Sequence, residues 1–378
     1  MRILFILLAS FLLIGNVNAA DRYWVGGGSS ANWNATAPTN WGSASGVQDD
    51  ASVPGTGDNV FFDGVGTGAS NSTLSAAITV NNLNFTGYSN TLTHNTTTTL
   101  TIEGSLTMSS TMTYTAATSS SLVTMEGSGS VTLTSAGKSF RALTFGGTAG
   151  GTGTRTLQDS LTVVNAITHT RGTVNTNGMN VSSLSWSTSN TNSRTLTACG
   201  SSITVSGTGT IWNATTVTNY TITSCSSNPW TVLVSDAGAS SKTFAGGGKT
   251  YSNLSITGGG AGAFIITGAN TFNSITLGSP KTYTFPASTE TIITSVPCSG
   301  TAGNLITINS SSGGSQATIT QRTGYVSCDY LDLTDSNANW VAFFAGSHSN
   351  NTSNNSGWIF SDGPITVKNT KLYKYGSN

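Results

Sequence analysis

Two stretches decide the fold: VNNLNFTG at Val80–Gly87 and FRALTFGG at Phe140–Gly147. The same line returns as VSSLSWST at Val181–Thr188, YSNLSITG at Tyr251–Gly258, FNSITLGS at Phe272–Ser279 and CDYLDLTD at Cys328–Asp335. Each copy sets an aliphatic residue, and a second apolar residue two places on, among polar residues, mostly ahead of a turn. Two copies also share a run-in, Gly137-Lys138-Ser139-Phe140 and Gly248-Lys249-Thr250-Tyr251. Such self-similarity marks a chain that stacks one supersecondary unit on the next, each burying its apolar side only because its neighbours cover it.

The leading aliphatics are Leu83, Leu143, Leu184, Leu254, Ile275 and Leu331, in steps of 60, 41, 70, 21 and 56. Most steps lie close to multiples of roughly 20 to 23, the size of one solenoid coil. Leu83 alternates with Phe85, Leu143 with Phe145 and Ile275 with Leu277, which is the period of a strand. The pattern predicts an all-β chain: a single-stranded parallel β-solenoid, or β-helix, of about 20–25 residues per coil with rungs about 4.8 Å apart. Aliphatics repeated at that pitch are expected to form buried columns. The expected division is a signal peptide over 1–19, an aromatic cap and first coils over 20–80, the solenoid over 81–360 and a basic tail over 361–378.

Charged residues are only 7% of the chain, and 14 acidic residues balance 14 basic ones. No basic face exists to collect phosphates, which excludes nucleic acid as the expected partner. Thr, Ser and Asn carry the polarity instead, and Thr packs well on a pleated surface. The 8 Trp, 10 Tyr and 14 Phe are too many aromatics for a disordered chain. Arg2, the apolar run Ile3 to Ile14 and the small residues of Val17-Asn18-Ala19 read as a secretory signal. That run is shorter than the about 20 residues a span needs. The mature chain is therefore expected to be secreted or at the cell surface, with no membrane span.

Export makes the cysteines interpretable. Cys199 and Cys225 lie 26 apart and Cys298 and Cys328 lie 30 apart, about one coil each, so two local disulfides are the simplest pairing. Buried free thiols are the alternative. No metal is expected, since no C-x-x-C occurs and His94, His169 and His348 are far from the cysteines in sequence. No cofactor is expected either. The Gly-Lys-Ser and Gly-Lys-Thr turns resemble the end of a phosphate loop, but the glycine required five places earlier is Thr132 in one and Thr243 in the other.

One acidic pair points toward chemistry. Ile102-Glu103-Gly104-Ser105 and Met125-Glu126-Gly127-Ser128 lie 23 residues apart, which would stack Glu103 and Glu126 on adjacent rungs. Carboxyls about 5 Å apart can serve a retaining glycoside hydrolase as nucleophile and acid. The same repeat also reads as an exposed structural turn, and Gln158 takes the Glu position ahead of the related Ser160-Leu161-Thr162-Val163. Asp329, Asp332 and Asp335 alternate along one strand and are not expected to converge. Asp58 and Asp63 read as polar ends of a buried strand. Tyr23, Trp24, Trp33 and Trp41 crowd the start of the mature chain with Asn32, Asn34 and Asn40. They suit either a ligand-binding platform on which sugars stack or a cap over the open end of a solenoid.

The ends of the chain resemble a known family. Arg22-Tyr23-Trp24-Val25-Gly26-Gly27, Asn32-Trp33-Asn34 and Asp58-Asn59-Val60-Phe61-Phe62-Asp63 look like the start of repetitive β-helical surface and virion structural proteins of phages and bacteria. Cys328-Asp329-Tyr330-Leu331-Asp332, Ala345-Gly346 and Asn354-Asn355-Ser356-Gly357-Trp358-Ile359-Phe360 are similar to that family's terminal unit. The resemblance implies a surface, virion or host-attachment role, carries over no catalytic residue, and covers about residues 22 to 360. The export signal shifts the expectation from a tail fibre toward a secreted or cell-surface protein. Beyond Phe360, Lys368, Lys371 and Lys374 with Tyr373 and Tyr375 suit docking on an anionic surface or a solvated tail.

The expected function is a secreted, non-catalytic β-solenoid acting as a surface, adhesion or structural module, with a glycan or cell-surface partner. The alternative is a polysaccharide-cleaving β-helix enzyme using Glu103 and Glu126.

Overall fold

The computed structural model describes residues 19–65, 70–95, 97–116, 120–147, 150–258, 260 and 262–364. The expected signal segment, apart from Ala19, and Lys368, Lys371 and Lys374 lie outside the described residues. The described chain is all β, with no α-helix, and it winds as a parallel β-solenoid. Three faces recur in order. Face I is a ten-stranded sheet running from the N-terminal strands to Tyr220–Ile222. Face II begins as a three-stranded sheet at Ser72–Leu74 and continues as a ten-stranded one from Ser139–Phe140 to Ser336–Trp340. Face III is a thirteen-stranded sheet from Ile78–Val80 to Asn350–Ser353.

Register partners define the coils. On face II, Leu161 pairs with Val181, Val181 with Ile203, Ile203 with Val232, Val232 with Leu254 and Leu254 with Ile275, steps of 20, 22, 29, 22 and 21. On face III, Leu100, Val123, Leu143, Ile167, Trp186, Trp212, Phe244 and Ile266 form one column. Its longest step, the 32 residues from Trp212 to Phe244, carries a corner loop. Strands such as Thr99–Ile102 and Ala142–Phe145 alternate inward apolar residues with half-buried Thr or Ala. The inward column therefore meets its own kind at each rung, and Trp186, Trp212 and Phe244 stack with ring centroids 5.8 Å apart.

The six repeated lines do not share one column. Leu83 belongs to face I, Leu143 and Leu331 to face III, and only Leu254 and Ile275 are direct register partners, on face II. Leu184 is 42% exposed, because its line is split by a corner: Val181–Ser183 belongs to face II and Ser185–Ser187 to face III. The faces are chemically alike, so the same strand signature serves any of them.

Coil shape changes twice, and a disulfide sits at each change. Face I stops at Tyr220–Ile222, and the following coils alternate between faces II and III. In Thr250–Ile256 the inward residues are Tyr251, Leu254 and Ile256, and the three-residue gap marks where the strand bends around the lost corner. The Cys199–Cys225 bond holds the loop that follows the last strand of face I, with Cα atoms 5.2 Å apart. The Cys298–Cys328 bond, also at 5.2 Å, lies where the short sheet Val326–Ser327, Phe343–Phe344 and Trp358–Ile359 begins. Both expected pairings are present.

Closing loops of 26 and 30 residues stabilises by about 3.5 kcal/mol each on a chain-entropy account. Replacing Cys199 and Cys225 together by Ser should lower the denaturant midpoint, with a slope equal to or steeper than the wild type's because the unfolded chain is released. A midpoint within error of the wild type would show that the loop is held by other contacts.

Candidate functional site

The corner leading from face III to face I carries the polar features singled out in the sequence. Glu103 N–H donates to the Val80 carbonyl at 2.9 Å and Glu126 N–H to the Ile102 carbonyl at 2.8 Å, so the two glutamates follow register partners and occupy adjacent rungs. The repeated Glu-Gly-Ser has a steric cause. A Cβ on Gly127 would lie 1.6 Å from the Glu103 carbonyl oxygen, and one on Gly104 would lie 2.3 Å from Asn82 Oδ1. Glycine lets each corner settle on the one before it.

A polar groove of about 700 Å³ runs along this corner, lined by Asn81, Asn82, Glu103, Ser105, Glu126 and Ser130 among others. Its walls are preorganised. Asn81 and Asn82 each donate an amide N–H to Asn59 Oδ1, at 3.0 and 2.9 Å, and Asn82 Oδ1 accepts the Ser105 N–H at 2.7 Å. Glu126 reaches the next coil: its carboxyl group lies where a Cβ on Gly147 would come within 2.4 Å of it.

Behind the groove stands Arg155, fully buried. Its guanidinium donates to the carbonyls of Glu126 at 2.6 Å, Gly127 at 2.7 Å, Gly151 at 2.9 Å and Gly153 at 2.8 Å. Burial pulls its pKa down to about 10 while the Glu126 charge raises it, so it stays charged at neutral pH. Further along the corner, Arg194 donates to Thr188 Oγ1, Asn190 Oδ1 and the carbonyls of Asn192 and Thr216. His169 Nε2–H donates to the Gly172 carbonyl at 2.9 Å. Burial, aided by the charges of Arg194 and Arg155, lowers the His169 pKa to about 4. The corner between faces II and III repeats the device: Lys242 binds the carbonyls of Gly238 and Ser240 and pairs with Asp236 at 2.7 Å, and Lys281 binds those of Gly260 and Gly262. Glycine-rich corners turn carbonyls inward, and a side-chain cation satisfies them.

These cations were not singled out in the sequence. Their signal is phase: Arg155 and Arg194 occupy inward positions of strands Thr154–Leu157 and Arg194–Thr197, beside buried Leu157 and Leu196.

The N-terminal aromatics are a cap. Trp24, Trp33 and Trp41 are 1%, 1% and 0% exposed and pack on Phe62, so they offer no free face to a sugar. The cause is the open end of the solenoid: the antiparallel strand Trp41–Gly42 covers Asp21–Trp24, and Trp41 Nε1 donates to the Trp33 carbonyl at 2.7 Å. Tyr23 lies stacked on Phe61 at 4.9 Å. Asn40 is buried and spends its amide on the carbonyls of Ser30 and Asn32. Trp24, Trp33 and Trp41 thus serve closure of the core in place of the expected ligand platform, while Tyr23 stays half-buried on the outer side of its strand.

The acidic trio is dispersed, as its alternation implies. Asp329 pairs with His348 at 2.8 Å, Asp332 accepts from Thr352, and Asp335 from Asn354 at 2.6 Å. Asp58 accepts the Ala20 and Gly55 N–H groups, both at 3.0 Å. Among the described residues, no group of three or more His, Cys, Asp or Glu is placed to hold a metal ion, and no helix is long and apolar enough to cross a membrane.

No known protein family, curated protein or solved structure matches this chain. The resemblance of its ends to phage and bacterial proteins rests on the quoted residues alone.

His169 is expected to make the fold acid-sensitive. It titrates near 6.5 when unfolded and at about 4 when folded, so its contribution is whole above pH 6.5 and drains as pH falls toward 4. The loss between pH 7.5 and 5 is about 2 kcal/mol. Burial lowers His94 in the same direction. Denaturant titrations at the two pH values should show this loss in the wild type and a smaller one in His169→Gln; equal losses in both proteins would contradict the assignment.

Proposed function

We propose that the chain is a secreted, non-catalytic β-solenoid that acts as a surface, adhesion or structural module and holds an extended glycan in the polar groove of its face III to face I corner. The observation that carries the non-catalytic reading is the commitment of Glu126. A retaining glycosidase needs two carboxyls about 5–5.5 Å apart flanking the bond, one free to attack as nucleophile and the other to act first as acid and then as base. Here one of the pair packs on Gly147 and offsets the charge of buried Arg155. The groove supports glycan binding through its fixed amides and hydroxyls, which suit a polar polymer lying along several rungs. Two disulfides fit an oxidising compartment. The resemblance of the chain's ends adds host or cell-surface attachment as the setting.

The rival reading, a polysaccharide-cleaving enzyme, draws on the adjacent rungs of Glu103 and Glu126 in the same groove. A glycan array run beside a reducing-sugar assay separates the two. Binding without release of sugar ends is expected, and Glu103→Gln should change affinity less than about threefold, the scale of a single exposed contact. Release of reducing ends that Glu103→Gln abolishes would overturn the non-catalytic reading.

A further inference from the structure

Six of the eight tryptophans are fully buried, while Trp340 is 70% exposed. Its exposure runs against its phase. In the strand Ser336–Trp340, Ser336 and Ala338 point inward, and the register partner of Trp340, Gln321, is buried at the end of the preceding rung. Alternation alone would put the ring inside. The backbone instead enters the left-handed region at Trp340, φ 81°, and turns the ring out to solvent. Bulky residues rarely adopt that conformation, and an exposed indole returns nothing to the core. Asn339 Oδ1 fixes the turn by accepting the Trp340 N–H at 3.0 Å.

The ring is not isolated. The Arg322 guanidinium lies over one face of the ring, 5.3 Å from its centroid in a cation–π contact, and forms no salt bridge among the described residues. Tyr325, 49% exposed, follows Arg322 in the same loop, its ring set edge-on against Phe344 at 6.3 Å. Buried Gln321 anchors that loop by donating from Nε2 to the carbonyls of Thr323 at 2.9 Å and Tyr325 at 3.4 Å. An exposed indole and a guanidinium with no carboxylate partner among the described residues are thus presented together on a braced corner, residue types that dominate recognition surfaces. A flat ring face takes the C–H face of a pyranose, and a guanidinium fork takes a carboxylate.

We infer that the corner of Arg322 and Trp340 is a binding site for acidic polysaccharide, stacking a uronic-acid ring on the solvent face of Trp340 and pairing a carboxylate of the same polymer, past the edge of the indole, with Arg322. The site is separate from the polar groove and stands whether or not that groove binds glycan.

The test is affinity electrophoresis of the full chain in gels containing polygalacturonate, alginate or methyl-esterified polygalacturonate, which keeps the ring and loses the charge. Retardation by at least one polyuronate is expected, weaker on the ester and weaker in 1 M salt. Trp340→Ala should weaken binding about tenfold or more and Trp340→Tyr restore most of it, while Arg322→Ala should erase the preference for the acid over the ester. Glu103→Gln, in the groove, should leave this binding unchanged. Circular dichroism and the thermal midpoint establish that each variant folds, and Arg322→Ala carries the test if Trp340→Ala does not. The inference is overturned if no polyuronate retards the protein, if acid and ester bind equally, or if Trp340→Ala abolishes only self-association of the chain.

Discussion

In-register pairing of each coil with the coil before it governs the whole molecule. Parallel strands leave no backbone group unpaired along a face, provided every coil returns to the same phase. A one-residue slip would exchange the inward and outward sets of every later rung. Inward columns such as Leu161, Val181, Ile203, Val232, Leu254 and Ile275 follow from that constraint. The constraint weakens only at corners, where the chain turns and carbonyls point inward. There Arg155, Arg194, Lys242 and Lys281 reach them, each binding two or more backbone carbonyls. A buried cation left uncompensated would be costly, but one ringed by carbonyls and, at Arg155 and Lys242, balanced by Glu126 or Asp236 completes the corner.

Alternation made the strands legible, and the interval near 20 made the stacking legible. Leu143 and Phe145 show both: they point inward on face III, at rung distance from Val123 and Met125. Which face a line belongs to was not legible, because nothing chemical distinguishes one face from another. VSSLSWST looks like its fellows and yet turns a corner at Leu184. Loop length hides the count further, since the step from Trp212 to Phe244 is 32 residues while the next is 22. Cysteine spacing survived this noise, because each pair spans a single coil whatever its loop.

The candidate site was half legible. The 23-residue spacing of Glu103 and Glu126 places them on adjacent rungs, as their register shows. The turn of Glu126 toward Gly147 and Arg155 depends on a glycine-rich loop whose path no periodicity sets. The N-terminal tryptophans fit a cap or a platform equally well as a sequence; burial decides, and their indoles fill the end of the core. Trp340 had the opposite fate. Its place in the alternation marks it as interior, and only the left-handed turn at that residue brings it to the surface. Exposed aromatic chemistry thus lies at a corner near the C-terminal end of face II, while the polar groove lies at a different corner nearer the N-terminus. A rod with separate contact points along its length is the picture of function that these placements support.

Engineered cross-linking tests the register most directly. Thr162 and Ser182 both point outward and pair across adjacent rungs of face II, whereas Ser183, one residue on, points inward. Cysteines at 162 and 182 would stand about 4.8 Å apart, within reach of a disulfide. The account predicts rapid oxidation of the Thr162→Cys, Ser182→Cys protein to a cross-linked monomer, and none for Thr162→Cys with Ser183→Cys. Cross-linking of the second pair in preference to the first would contradict it.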